Sequence, residues 1–190
     1  FAEEHRIPFV APTVEELVQR SDIDAIAITT PSALHRDPAL AAIRAGKHLM
    51  IEKPIDATVE GTDEILAAAQ KAGVLIASIF QARFVDGARA LKQAIESERF
   101  GRLVLCSAYV KWHRAPSYYV GWKGKLALDG GGAVINQGIH AVDLLQWFAG
   151  MPAEVFAWTT RAVHTSIESE DTSVAALRFP NGAFGTIEAS

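Results

Sequence analysis

The sequence holds a single cysteine, Cys106, so no disulfide can form within the chain and a reducing compartment, the cytoplasm, is the default setting. No apolar run reaches the length of a membrane span, and no charged-then-apolar leader opens the chain. Excess charge is missing too. The formal net charge is −4, which invites neither nucleic acid nor an anionic membrane. The histidines His5, His35, His48, His113, His140 and His164 show no paired ligand spacing, so no metal site is expected. No serine sits in a nucleophile-elbow pattern, which removes support for hydrolase chemistry. Repeats, low-complexity tracts and charge runs are absent. The first residue is Phe1 rather than methionine, and "FAEEHRIPFV" reads as the middle of a longer protein.

What is present describes a globular chain. Apolar residues make up 49% and charged residues 21%, a balance that can bury a core. Its 190 residues suffice for one large domain or two small ones. The first half alternates strand and helix. "TVEELVQR" opens with a capping box, Thr13 three residues before Glu16. "DAIAITT" is a strand ending at Pro31, and "DPALAAIRAGK" a helix with Asp37 as N-cap, Pro38 at its first position and Gly46 as stop. The strand 48–51, a helix from Thr58 to Ala72 and the strand "VLIASIF" follow. The last is apolar throughout, as expected of a strand covered on both faces. This order predicts parallel βαβ units with helices on both sides.

After Gln81 the texture changes. "GARALKQAIESERFG" reads as a helix and "RLVLCSAYVKW" as a longer strand. An aromatic and glycine-rich loop leads to the helix "AVINQGIHAVDLLQWFAG". "AEVFAWTTRAV" and "DTSVAALRF" are then strands, and Asn181-Gly182 turns tightly into "AFGTIEA". The fold class is therefore α/β, parallel βαβ units followed by an α+β domain on a large, mainly antiparallel open sheet. The change of texture sets the expected boundary between residues 82 and 83.

Three segments fall at the carboxyl ends of the parallel strands, where open sheets bind ligands. They are "TTPSALH", "EKP" and "FQARF". Turn chemistry alone accounts for Pro31. Lys53 is different, because a surface-turn lysine needs neither a proline on one side nor a buried strand on the other. The helix 133–149 carries two stripes. Ile135, Ile139, Val142, Leu145 and Ala149 face the core. Asn136, His140, Asp143 and Trp147 share another face that lacks the Lys, Glu and Arg of a solvated one. Asn136 and His140 are expected to point into a shared polar cavity, with Asp143 orienting the imidazole. Gly130 to Gly132 allow a ligand or another backbone close to the helix start.

Together, "TTPSALH…AGKHLMIEKP", "GWKG…LDGGG..INQGIH..DLLQW..G" and "ESEDTSVAALRFPNGAFGTIEAS" resemble the Gfo/Idh/MocA family of NAD(P)-dependent oxidoreductases, in the family's order and across the whole chain. The resemblance implies a partial Rossmann-type parallel sheet forming the dinucleotide-binding domain over 1–82, and a substrate-binding and oligomerisation domain over 83–190 that is incomplete at its C-terminal end. It also implies hydride transfer between NAD or NADP and a secondary hydroxyl or ketone of a sugar, inositol or nucleotide-linked sugar. Lys53 and His140 correspond to the catalytic lysine and the histidine of the helical motif. Thr30, Pro31, His35, Glu52, Lys53 and Gln81 fall on the cofactor side, and Arg83, Trp122, Lys123, Asn136 and His140 on the substrate side. Many members carry aspartate where this chain has Asn136. A neutral amide cannot take a proton, so that role passes to His140, whose imidazole titrates near neutrality, with Lys53 the other candidate.

The partners implied are a small carbohydrate or polyol and further copies of the chain, a homodimer or homotetramer through the C-terminal sheet. Val155, Ala157, Val174, Ala176, Phe184 and Ile187 are the alternating positions expected to need a cover there. Two alternatives belong to other classes: a cofactor-sensing regulator without turnover, and a redox-assisted glycosidase. The Lys53–Pro54 bond is expected to be cis. The family's glycine fingerprint is expected to precede Phe1, so the 190 residues alone are expected to bind NAD(P) weakly and not to turn over.

Overall fold

A computed structural model describes residues 1–190 and divides them into two compact units, Phe1–Ile79 and Phe80–Ser190. The first unit contains α1 (Val14–Val18), β1 (Ala25–Ile28), α2 (Arg36–Arg44), β2 (His48–Ile51), α3 (Val59–Ala72) and β3 (Ile76–Ser78). The strands lie in the order β1-β2-β3, all parallel, with Ile26 opposite Leu49 and Ile51 opposite Ser78. Strands in sequence order joined by crossovers of one hand place their helices on one face. That is observed. Ile26, Ile28, Leu49 and Ile51 pack with Val18, Ala39, Ile43 and Ile65 in a single core. Ile51 and Ile65 are fully buried, each contributing roughly 1.5–3 kcal/mol of transfer free energy. Met50, on the opposite face, is 47% exposed, so helices within this unit cover one side of the sheet and not two.

Local signals set the helix ends. The Thr13 hydroxyl accepts from the Glu16 N–H, and the Thr58 hydroxyl from the Gly61 N–H. Gly73 ends α3 at φ +68°, a conformation costly for any residue with a Cβ. Helix α2 begins one residue before the expected N-cap, at Arg36, because a 3₁₀ turn over Ser32–Leu34 delivers the chain to it through His35.

The second unit contains α4 (Asp86–Glu96), β4 (Leu105–Val110), α5 (Leu126–Asp129), α6 (Ile139–Ala149), β5 (Glu154–Thr160), β6 (Thr172–Arg178) and β7 (Phe184–Ala189). Its sheet has the order β4-β7-β6-β5. The β5–β6 and β6–β7 pairs are antiparallel, whereas β4 and β7 run parallel. Ala141, Leu145 and Ala149 of α6 pack on Ala108, Ala175, Leu177 and Phe179. Ala141 thus takes a core position that the spacing assigns to Val142.

Register divides the six positions expected to share one open face. Residues directly opposite in a ladder lie on the same side of the sheet. Phe156 faces Ala176, Trp158 faces Val174, and Arg178 faces Phe184, and all of these are exposed. Val155 pairs instead with buried Leu177, Ala157 with buried Ala175, and Ala175 with Ile187. Val155, Ala157 and Ile187 therefore belong to the helix side. The open face carries Phe156, Trp158, Val174, Ala176 and Phe184, with Leu105 and Tyr109 from β4. No helix is long and apolar enough to cross a membrane.

Candidate active site

In the first unit, the carboxyl ends of β1 and β2 are joined by one buried imidazole. His35 is 1% exposed. Its Nε2 lies 2.8 Å from the Thr30 carbonyl oxygen, and its Nδ1 2.9 Å from that of Pro54. His35 therefore clasps the two loops rather than presenting its ring at their surface. Within those loops the Thr30 hydroxyl donates to the Leu34 carbonyl at 3.1 Å, and Pro31 leads into the 3₁₀ turn. A Glu52 carboxylate oxygen accepts from the Lys53 N–H at 3.2 Å, and the Lys53–Pro54 bond is cis. Lys53 thus leaves β2 on a backbone held by Glu52 before it and the His35 clasp after it.

The 3₁₀ turn Gln81–Phe84 opens the second unit and carries Arg83. Arg83 makes a two-pronged pair with Asp143 of α6, Nε to Oδ2 at 2.8 Å and a terminal nitrogen to Oδ1 at 2.5 Å. Its guanidinium also stacks over Trp147, 5.5 Å from the ring centroid. Asp143 thus gives both oxygens to Arg83. The His140 ring meets Phe80 edge-on, with centroids 6.1 Å apart.

The helix expected over 133–149 is not regular. Val134–Gly138 forms a π-turn before α6, so Asn136 does not follow the 3.6-residue period that relates it to His140. Asn136 donates from Nδ2 to Asp129 at 2.7 Å and accepts from the Tyr118 hydroxyl at 3.2 Å. Asp129, 3% exposed, also accepts from the Gly124 N–H at 2.9 Å. The backbone that the triple glycine admits is that of Glu170. A Cβ on Gly132 would lie 1.7 Å from the Glu170 carbonyl oxygen. The Glu170 carboxylate in turn accepts from the N–H groups of Gly132 and Val134, at 3.0 and 3.1 Å.

Asn136 lines a cavity of about 290 Å³ within this unit, together with Arg114, Tyr118, Gln137, His164 and Asp171. Lys123 lies beside it, its Nζ 3.8 Å from the Tyr118 ring centroid and 6.0 Å from that of Trp122. Burial pushes the Tyr118 phenol up, but hydrogen bonds with Gln137 and Lys123, the Lys123 charge and Arg114 together hold it below the usual tyrosine value. Burial also pushes the Asp171 carboxyl up. It is outweighed by the backbone N–H groups of His164, Ala162 and Val163 and by Thr172, so Asp171 lies at about 2. Tyr118, Asp129 and Asp171 were not marked by the sequence patterns. The aromatic loop "SYYVGWKG" was the one pointer to Tyr118, and nothing local distinguished the two aspartates.

Two family models account for the chain. The model described as an oxidoreductase family with an NAD-binding Rossmann fold matches residues 1–80, and the GFO/IDH/MocA C-terminal domain matches residues 88–190. Among curated proteins, the chain is 34% identical over 183 residues to 1,5-anhydro-D-fructose reductase of Ensifer adhaerens, covering 96% of this chain and 55% of that one. It is 28% identical to myo-inositol 2-dehydrogenase of Thermotoga maritima, covering 92% and 52%. Among solved structures, the WlbA dehydrogenase of Bordetella pertussis in complex with NADH and UDP-GlcNAcA matches with a TM-score of 0.93 and 36% identity, over all of this chain and 55% of that one. The chain spans about half the length of the relatives it matches. It belongs to the Gfo/Idh/MocA family of oxidoreductases.

Proposed function

We propose that the protein carrying this chain moves a hydride between NAD(P) and a secondary hydroxyl or ketone of a sugar, an inositol or a nucleotide-linked sugar. The observation that carries the reading is the placement of Lys53. It stands at the carboxyl end of a parallel strand, its backbone held by Glu52 and, through Pro54, by buried His35. A lysine on a backbone held in this way can present its ammonium to a developing alkoxide.

The residues present suit the nicotinamide end of the cofactor. The loop backbones of Thr30 and Pro54 are fixed from below by the His35 clasp, and the side chains of Thr30 and Glu52 remain at the surface or half-buried above it. Thr30, Pro31, Glu52 and Lys53 would border the ring, with Gln81 also assigned to the cofactor. His35 serves them from beneath. When bound, the nicotinamide gives or takes the hydride. The protein's own part is proton transfer and alignment. His140 takes the hydroxyl proton in the oxidative direction, the ammonium of Lys53 steadies the oxygen, and Asn136 holds the substrate by its amide. The Arg83–Asp143 pair fixes α6, which carries His140; Arg83 thereby acts through Asp143. Trp122 and Lys123 belong to the substrate-side loop. The domain roles follow, cofactor for 1–82 and substrate for 83–190.

The proposal includes self-association. Phe156, Trp158, Val174 and Phe184 are large apolar side chains exposed on one sheet face, of the kind that marks an interaction site, and a second copy of the chain is the partner proposed. The test of the function is turnover of reduced or oxidised nicotinamide over a panel of sugars, inositols and nucleotide-linked sugars. Cofactor-dependent oxidation of at least one class supports the reading. Tight cofactor binding with no turnover on any class would replace it with the regulatory alternative.

A further inference from the structure

The cavity beside Asn136 contains an imbalance of partners. Its two carboxylates are already engaged. Asp171 accepts three backbone N–H groups at 2.6–2.8 Å and the Thr172 hydroxyl at 3.0 Å. Asp129 accepts from Gly124 and Asn136. Of the cations, Lys111 is paired with Glu188 at 2.5 Å. Arg114 and Lys123 have no carboxylate partner. Both instead flank the Tyr118 ring, the Arg114 Cζ at 5.0 Å and the Lys123 Nζ at 3.8 Å from its centroid. Arg114 donates one terminal N–H to the His113 carbonyl, while its Nε is buried with no hydrogen-bond partner.

Two cations and a phenol thus converge on a cavity whose acids already have hydrogen-bond donors of their own, Asp171 from backbone N–H groups and Asp129 from Gly124 and the Asn136 amide. A buried N–H donor without an acceptor is costly, and a cation pair of this kind is best satisfied by an anion. Arginine in particular matches planar carboxylates and phosphates. We infer that this cavity holds an anionic substituent of the substrate, a carboxylate or a phosphate on a monosaccharide unit, with Arg114 and Lys123 as its counter-charges and Tyr118 as the hydroxyl between them. Its volume of about 290 Å³ lies at the lower limit for small-molecule sites and suits a single sugar rather than a whole nucleotide-linked one. The depressed Tyr118 phenol is consistent with the positive surroundings that such a group requires.

The inference rests on the dehydrogenase reading and narrows its substrate class to acidic sugars. It is tested by calorimetric affinity and by turnover on matched sets. These are glucose, glucuronate and glucose 6-phosphate, and UDP-N-acetylglucosamine beside its C6-carboxylate counterpart. Binding of an acidic member at least about tenfold tighter than its neutral counterpart is expected, the size of one charge-assisted hydrogen bond. Comparison of glucuronate with glucose 6-phosphate separates carboxylate from phosphate. Arg114→Gln and Lys123→Gln should each bring the ratio of acidic to neutral affinity down to about one. Equal binding of neutral and acidic members overturns the inference, as does failure of every acidic member to bind. Turnover of neutral sugars in either case would leave the dehydrogenase reading standing.

Discussion

The Nδ1 of His35 lies 2.9 Å from the carbonyl oxygen of Pro54, the residue that follows Lys53. Its Nε2 lies 2.8 Å from the carbonyl of Thr30, so one buried ring spans two strand ends. His35→Phe keeps an aromatic ring, a somewhat larger one, and removes the contacts with both carbonyls. It should cost about 2 kcal/mol in urea unfolding, and His35→Ala more, because a cavity is added. Unfolding midpoints equal to wild type for both variants would show that the clasp contributes nothing.

Asp171 contributes a pH-dependent part of the stability. Its folded value of about 2 lies below its ordinary 3.8, so its contribution is fully present above the ordinary value and is lost as pH falls through about 2. The shift corresponds to about 2 kcal/mol. Asp171→Asn should lower the unfolding free energy near neutrality by about that amount and flatten its fall in acid. A variant with the same acid profile as wild type would contradict the assignment.

The open sheet face predicts self-association. Phe156→Lys together with Trp158→Glu changes two exposed aromatics packed edge-on at 4.4 Å, outside the hydrophobic core. Sedimentation should show the wild-type protein as a dimer or larger and this double variant as a monomer with unchanged circular dichroism. A wild-type protein that is monomeric at concentrations where proteins of this family are handled in solution would contradict the interface.

Local chemistry made much of the fold legible. The Thr13 and Thr58 caps, the Gly73 stop and the apolar runs of β1 and β2 marked the elements of the first unit, and Asn181-Gly182 marked the β6–β7 turn. The EKP triplet and the helical motif pointed to Lys53 and His140. Long-range pairing was not legible. No spacing argument could match Asp143 with Arg83, 60 residues away, or show His35 to be a buried clasp. The π-turn over Val134–Gly138 broke a stripe drawn at regular helical spacing. Strand parity depends on register, which is why three apolar positions of the second sheet fell on the other face. The parallel β4–β7 pair also lay beyond a reading based on hairpins.

The most direct test of the proposed chemistry is steady-state turnover of Lys53→Ala and His140→Asn in the protein carrying this chain, followed through the absorbance of reduced nicotinamide, with cofactor affinity measured alongside. Each substitution is predicted to lower kcat by about 100-fold or more, the usual loss when a proton-transfer or charge-stabilising group is removed, and to leave cofactor affinity nearly unchanged. Near-wild-type turnover in both variants would contradict the assignment of Lys53 and His140.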